Sequence, residues 1–109
     1  NFLLLCSTEL ANKPGLIVGI SASAGGAYPV VELRTSGYKN NRICWIPDHI
    51  IIRSVKNALT DDAVKNTDGD TGIAERCDHS LRILVEYAKA LRAVRASGVC
   101  DLKKYPFGM

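Results

Sequence analysis

An unbroken apolar run at residues 16–20 is the strongest feature of the hydrophobic pattern. It ends abruptly in small residues and a pair of glycines, and a helix-forming sequence follows. Strands that are buried on both faces of a parallel sheet have continuous apolar runs of this kind. The pattern therefore predicts a strand over residues 16–21, a loop, and a helix that begins near Pro29 and ends near Tyr38.

Further helix and strand patterns lie on either side of this unit. Residues 1–11 carry apolar positions at helical intervals, and a Pro and a Gly shortly afterwards would end that helix. After the second predicted helix, β-branched and aromatic residues are frequent, but Pro47 interrupts them. We expect a short inner strand at residues 43–46 and a second extended piece at residues 49–53.

One long helix dominates the C-terminal part of the pattern. It is predicted over residues 72–96, with Asp70 or Thr71 as its N-terminal cap and Gly98 at its end. The polar residues 60–71 that precede it predict an exposed loop. The apolar stripe of the helix is predicted to contain Ile73, Cys77, Leu81, Leu84, Ala88 and Leu91.

The order helix, strand, helix, strand, helix is typical of an α/β protein with right-handed crossovers. We predict that residues 1–109 belong to a single domain with a doubly wound parallel sheet. Such sheets usually contain about five or six strands, so this chain would supply roughly the second half. The C-terminal tail, which contains Tyr105-Pro106-Phe107, is expected to lie near a contact between subunits.

The composition is that of a soluble globular domain, with 47% hydrophobic and 23% charged residues. No apolar run approaches the roughly 20 residues of a membrane helix, and no cationic segment precedes the N-terminal leucines. We therefore predict a cytoplasmic protein that does not bind membranes.

Charge and cysteine spacing argue against two kinds of site. The net charge is +3 and the 14 Lys and Arg residues form no run, which argues against nucleic acid as a partner. The four cysteines contain no C-x-x-C pair and have no neighbouring His at ligand spacing. Free thiols are expected, with neither a zinc site nor a disulfide framework.

Residues 21–26, hereafter the glycine loop, form the main candidate binding site. In an open parallel sheet this loop lies beyond the carboxyl end of its strand, where such sheets bind ligands. Two serine hydroxyls and several backbone N–H groups offer donors, and the glycine pair lets a flat ligand approach closely. A planar heterocycle with polar edges suits this surface, although the glycines could equally serve to turn the chain into its next helix. The candidate contacts are Ser21, Ala22, Ser23, Ala24, Gly25, Gly26 and Tyr28.

Two other motifs match less well. The segment Gly19-Ile20-Ser21-Ala22-Ser23 begins like the nucleophile elbow of hydrolases, but that motif requires glycine where Ser23 stands, and only His49 and His79 could act as the base. Four positions of a calcium-binding loop are matched within residues 66–75, but Val64 occupies the first ligand position. An acidic surface loop is the simpler interpretation of that segment.

The positions of the aromatic residues predict different roles for them. Trp45 lies in a predicted strand and Tyr38 at a predicted helix end, so both are expected to pack in the core rather than stack on a ligand. Tyr28 comes just after the glycine pair and suits either role.

Several segments resemble the second half of the flavodoxin-like NADPH-dependent FMN reductases, and the resemblance spans nearly the whole chain. They are residues 16–26, Tyr28-Pro29 with Glu32-Leu33-Arg34, Tyr38-Lys39-Asn40-Asn41-Arg42 and Glu86-Tyr87-Ala88-Lys89-Ala90-Leu91. The resemblance implies a flavodoxin-like fold with FMN at the carboxyl ends of the strands and the glycine loop beside the isoalloxazine ring. It also implies that the phosphate-binding loop and a second flavin-contacting loop precede Asn1, in the N-terminal half of the same domain.

The implied function is that of an oxidoreductase. FMN would carry a hydride from NADH or NADPH to a small acceptor such as free flavin, a quinone or a metal oxyanion, with no catalytic acid or base and no metal. The family forms dimers or larger assemblies, so a homodimer or homotetramer is expected. The 109 residues alone should be poorly soluble, flavin-free and inactive. The alternative is a non-enzymatic flavodoxin-like FMN-binding module, or a fragment with a structural role.

Overall fold

The computed structural model describes residues 1–59 and 72–107. Two parallel strands are paired in this part of the chain, and it is mixed α/β, as the pattern predicted. No helix in these two ranges has both the length and the apolar character needed to cross a membrane. The elements in chain order are α1 (Phe2–Leu5), β1 (Pro14–Ile20), α2 (Ala27–Ser36), β2 (Cys44–Ile52), a 3₁₀ turn (Val55–Asn57) and α3 (Ile73–Ala96).

A β-α-β unit forms the centre of the structure. β1 and β2 are neighbouring parallel strands, and the crossover helix α2 connects them. α2 packs mainly on β1, while α3 contacts both strands. Gly19 lies very close to the start of α2, where a Cβ would overlap the carbonyl oxygen of Gly26. The small core consists of Ala11, Ile17, Val30, Ile46, Ile50 and Ile52.

β2 is one continuous strand, so the prediction of two pieces separated at Pro47 is wrong. Gly15 pairs with Trp45 and Ile17 pairs with His49, which means that β2 advances four residues while β1 advances two. The two additional residues form a bulge. Pro47 lies in that bulge, where its missing N–H interrupts no regular pairing.

The Arg34 side chain, on α2, donates hydrogen bonds to backbone carbonyl groups in and beside the bulge. Its Nη2 atom lies 3.1 Å from the carbonyl oxygen of Ile46, 2.7 Å from that of Pro47 and 3.3 Å from that of Asp48. A cationic guanidinium therefore adds hydrogen bonds to carbonyl groups in and beside the bulge.

Replacing Arg34 by lysine should lower the free energy of unfolding by about 1–2 kcal/mol, because all three bonds come from Nη2 at the tip of the guanidinium, one covalent bond farther from the backbone than a lysine ammonium. The midpoint of urea unfolding measures the change. Arg92→Lys on the exposed surface of α3 is the matched control and should leave the midpoint unaltered. Equal midpoints for all three proteins would show that the Arg34 bonds contribute nothing.

The long C-terminal helix is confirmed, but its buried stripe differs from the predicted one. Leu81 is 51% exposed, whereas Ser80 is 5% exposed. Viewed down the helix axis, Ser80 lies between the half-buried residues Ile83 and Leu84, so the buried face is turned away from Leu81. The proposed caps Asp70 and Thr71, and the predicted loop at residues 60–71, lie outside the described residues.

The N-terminal helix is much shorter than predicted. α1 ends at Leu5, because Cys6 adopts extended backbone angles of φ −93° and ψ 97°. Residues 7–13 continue in turns instead of a helix, with the Ala11 N–H donating to the Thr8 carbonyl oxygen and the Lys13 N–H donating to the Leu10 carbonyl oxygen. The apolar spacing in this segment therefore comes from one short helix followed by hydrogen-bonded turns, and not from one continuous helix.

Candidate functional site

The glycine loop leaves the sheet at the carboxyl end of β1, as predicted. Its first residue, Ser21, still follows the strand register, because the Ser21 N–H donates to the Ile52 carbonyl oxygen at 2.9 Å. The chain then passes over the end of the sheet and enters α2 at Ala27. This is the edge at which open parallel sheets bind ligands.

The segment that follows β2 holds the glycine loop in place. The Ser54 N–H donates to the Ser23 carbonyl oxygen at 3.2 Å, and the Val55 N–H donates to the Ser21 carbonyl oxygen at 3.1 Å. Arg53 adds a third bond, from its Nε to the Ala24 carbonyl oxygen at 2.8 Å. The loop therefore has a defined shape that depends on β2.

Carbonyl groups make these contacts, and the N–H groups of the exposed residues Ala22 to Gly25 remain available, whereas Gly26 is buried. In the described ranges, none of the five backbone N–H groups from Ala22 to Gly26 donates a hydrogen bond. The N-terminus of α2 follows directly, and its cap residue Gly26 has no side chain to occupy the first helical N–H groups. A group of unpaired donors at a helix N-terminus favours a ligand that presents acceptor atoms or negative charge.

The two glycines of the loop have different roles. Gly26 has a φ of +100°, and a Cβ there would lie 2.8 Å from Cγ2 of Ile51, so this residue must be glycine for the chain to turn. At Gly25 the nearest atom to an added Cβ is Cβ of Ser21, at 3.8 Å. The conformational explanation therefore applies to Gly26, whereas Gly25 leaves open space in front of the loop.

Among the aromatic candidates, Tyr28 is the one beside the loop. It lies in the first turn of α2 and is 85% exposed. Trp45 lies at the opposite end of the sheet, where its indole ring packs so closely on Gly15 that a Cβ there would be 2.6 Å from it. Trp45 is half-buried, so its expected core position is only partly met. Tyr38 follows the C-terminus of α2, also at that opposite end, but is 49% exposed, so its expected core position is only partly met.

Arg53 is a candidate residue that the pattern did not single out. It is exposed, follows β2 directly, and uses Nε to contact the Ala24 carbonyl oxygen, which places a cationic guanidinium at the glycine loop. A cation immediately after the second parallel strand was the available signal, because that position belongs to the same edge of the sheet as the glycine loop.

The geometry does not support serine hydrolase chemistry. The Ser21 hydroxyl donates to the Ser23 carbonyl oxygen at 2.8 Å. His49 contacts Arg34, and His79 lies on α3, so neither histidine contacts the Ser21 hydroxyl. The arrangement lacks the base that a serine nucleophile needs.

A metal site and catalysis by a thiol are equally unsupported within residues 1–59 and 72–107. No group of three His, Cys, Asp or Glu residues there has the geometry of a metal site, and all four cysteines are free. Burial raises the pKa of the Cys44 thiol, which nearby Arg95 partly opposes, so the thiol stays protonated at neutral pH. Residues 64–71 of the candidate calcium loop lie outside the described residues.

Comparisons with known proteins found no matching family model, no matching curated protein and no matching solved structure.

Proposed function

We propose that this chain forms the ring-contacting part of the FMN site in an NAD(P)H-dependent oxidoreductase with a flavodoxin-like domain. One observation carries the proposal. Within the described part of the chain, the glycine loop presents four exposed backbone N–H groups without acceptors, from Ala22 to Gly25, at the carboxyl end of a parallel strand, and the segment after β2 holds it in that shape.

The residues of the loop fit the edge of a flavin. The polar edge of an isoalloxazine ring carries carbonyl oxygens and ring nitrogens, which accept hydrogen bonds from N–H groups such as those at Ala22 to Gly25. The open space at Gly25 admits a flat ring, and exposed Tyr28 is available to stack against it. Arg53 supplies positive charge beside the same donors.

FMN, when bound, supplies the chemistry of accepting a hydride from NADH or NADPH and passing it to a small acceptor. This chain contributes position and electrostatics. Its backbone donors would hold and orient the ring edge, and the Arg53 guanidinium would favour negative charge there. No side chain of the loop needs to take or give a proton.

The remaining parts of the proposal follow from the resemblance. The residues that bind the phosphate of FMN would belong to the N-terminal half of the same domain, so the 109 residues alone are expected to be inactive. The working protein is proposed to be a cytoplasmic homodimer or homotetramer.

Replacing Gly25 by valine should weaken FMN binding at least tenfold in the complete gene product, because a branched side chain would occupy the space in front of the loop. The fold should be unaffected, since no atom lies within 3.8 Å of the new Cβ. FMN affinity is measured from the quenching of flavin fluorescence. Ala90→Val, on the exposed surface of α3, is the control and should retain full affinity.

Unchanged FMN affinity in a folded Gly25→Val protein would reject the glycine loop as the ring contact. Oxidation of NADPH by the unsubstituted protein then separates the two functional classes. FMN binding without NADPH oxidation would favour the alternative, a non-enzymatic FMN-binding module.

A further inference from the structure

We propose that Cys44 and Cys100 form a redox-sensitive thiol pair, which a small disulfide such as oxidised glutathione converts into a disulfide bond. The bond would fasten the described part of the C-terminal tail, residues 99–107, to the start of β2. The pair lies at the end of the sheet opposite the glycine loop, and it includes none of the residues proposed to contact FMN.

The end of α3 lies beside the start of β2. Cys44 is the first residue of β2, and its N–H donates to the Lys13 carbonyl oxygen at 2.8 Å. Arg95, in the last turn of α3, places Nη1 2.7 Å from the carbonyl oxygen of Asn12, the residue before Lys13. The last turn of α3 therefore reaches the same short backbone segment that binds Cys44.

The C-terminal tail connects the same two places. At one end, Sγ of Cys100 lies 4.0 Å from the carbonyl oxygen of Val94, in the last turn of α3. At the other end, Nη2 of Arg42 donates to the Phe107 carbonyl oxygen at 2.6 Å. Sγ of Cys44 in turn lies 3.9 Å from the carbonyl oxygen of Arg42. The tail therefore runs from α3 to the residue two positions before Cys44, and Cys100 lies within that connection.

The two thiols are neighbours, and both are free and half-buried. Burial raises the pKa of the Cys44 thiol, Arg95 lowers it, and a charge on Cys100 raises it. One thiol has such an effect on another only at short range, because water and salt screen exposed charges beyond about 10 Å. The Arg95 cation also stabilises the thiolates through which disulfides exchange.

The backbone before Cys100 is free to bring its sulfur to Cys44. A disulfide usually requires two Cα atoms about 4.4–6.8 Å apart. Gly98 lies between the end of α3 and Cys100, has a φ of +77°, and has no atom within 4 Å of the position of a Cβ. Rotation at this glycine moves Cys100 without disturbing the helix.

The bond forms in two exchange steps. The Cys100 thiolate attacks one sulfur of oxidised glutathione, which forms a mixed disulfide and releases one glutathione thiolate. The Cys44 thiolate then attacks the Cys100 sulfur, which closes the protein disulfide and releases the second glutathione. Two protein thiols lose two electrons and two protons, and two glutathione molecules gain them. Burial keeps most of Cys44 protonated, which makes it unsuited to catalysis, but this exchange needs only a small thiolate fraction.

Peptide mapping of the complete gene product tests the pair. The protein is incubated with oxidised glutathione, its remaining thiols are alkylated, and it is digested with trypsin. Trypsin releases Cys44 in residues 43–53 and Cys100 in residues 96–103, so the disulfide joins these two peptides. This cross-link should be at least about tenfold more abundant than any other, because the fold holds the two thiols at a high effective concentration. It should disappear with dithiothreitol, and a non-reducing gel should show single chains.

The effect on the tail is measured by brief trypsin treatment of the folded protein. Cleavage after the exposed residue Lys103 should slow about tenfold on oxidation, because the fastened tail opens less often. Cys100→Ser should lose both the cross-link and this protection. Cys77→Ser, near the other end of α3, is the matched control and should retain both.

Mixed disulfides with glutathione at Cys44 and Cys100 without the cross-link would overturn the inference. So would a predominant cross-link from either residue to Cys6, Cys77 or a cysteine of another chain. An unchanged rate of cleavage after Lys103 in the cross-linked protein would show that the tail is not fastened. These readouts need no flavin, so a cross-linked protein that binds no FMN would keep this inference and lose the proposed function.

Discussion

Replacing Gly19 by alanine should lower the free energy of unfolding by about 3 kcal/mol and abolish the native shape of the glycine loop. A Cβ at this position overlaps the carbonyl oxygen of Gly26 and lies 3.4 Å from Cγ2 of Val30. A flexible side chain could move aside, but a backbone carbonyl at the start of α2 cannot do so without moving the helix and the loop together. FMN binding by the complete gene product should therefore be lost as well.

Gly25→Ala provides the matched control, because it adds the same methyl group to a glycine in the loop that follows β1. Its added Cβ has 3.8 Å of clearance, so the free energy of unfolding should change by less than about 0.5 kcal/mol. Urea unfolding can be followed through the fluorescence of Trp45, the single tryptophan of the chain. Equal midpoints for the two variants would mean that the close approach of β1 and α2 is not required.

Elements with a strong local pattern could be predicted from the sequence. The apolar run of β1 and the 3.6-residue period of α3 each extend over several residues, and neither depends on a distant contact. The position of the glycine loop at the carboxyl edge followed from the order of these elements, because a loop after a parallel strand has only one end of the sheet available to it.

The bulge in β2 could not be predicted in the same way. A proline in a strand normally marks a break, since it has no N–H to donate. Here the strand continues, because Arg34 from α2 binds the carbonyl groups of Ile46, Pro47 and Asp48. That compensation comes from a residue 12 or more positions away and becomes visible only in the fold.

The same limit applies to the details of the candidate site. Adjacent glycines in a sequence look alike, but the backbone gives one a φ of +100° and leaves open space beside the other. Arg53 could have been an ordinary surface cation until its Nε was found on the Ala24 carbonyl oxygen. The flavin assignment depends on the resemblance together with the free N–H groups, and FMN titration will decide it.

Asn41→Ala should be the second strongly destabilised variant, with a loss of about 2–3 kcal/mol in the free energy of unfolding. The Asn41 side chain is 2% exposed. Its Nδ2 donates to the carbonyl oxygens of Gly37 at 2.9 Å and Leu3 at 3.4 Å, and its Oδ1 accepts from the Ile43 N–H at 3.0 Å. Alanine would remove the partner of the buried Gly37 carbonyl and of two part-buried backbone groups, and would disconnect α1 from the turn before β2.

Lys39→Ala is the control for Asn41→Ala, because Lys39 is exposed in the same turn. Its urea midpoint should remain within error of that of the unsubstituted chain. If Lys39→Ala lowered the urea midpoint as much as Asn41→Ala does, the destabilisation would come from the turn as a whole and not from the buried amide.

Asn41→Asp tests the donor side of the same amide through pH. The new carboxyl group could still accept from the Ile43 N–H, but when ionised it would have no proton to donate to the carbonyl oxygens of Gly37 and Leu3. Burial against carbonyl oxygens should raise its pKa above the value of about 3.9 for an unfolded Asp. The folded variant then binds the proton more tightly than the unfolded chain does. Its stability should be greatest below about pH 4 and should fall as the pH rises through the raised pKa. Between pH 4 and pH 7, the urea midpoint of Asn41→Asp should therefore fall relative to that of Asn41→Ala. A constant difference between the two midpoints would show that Asn41 is not needed as a donor.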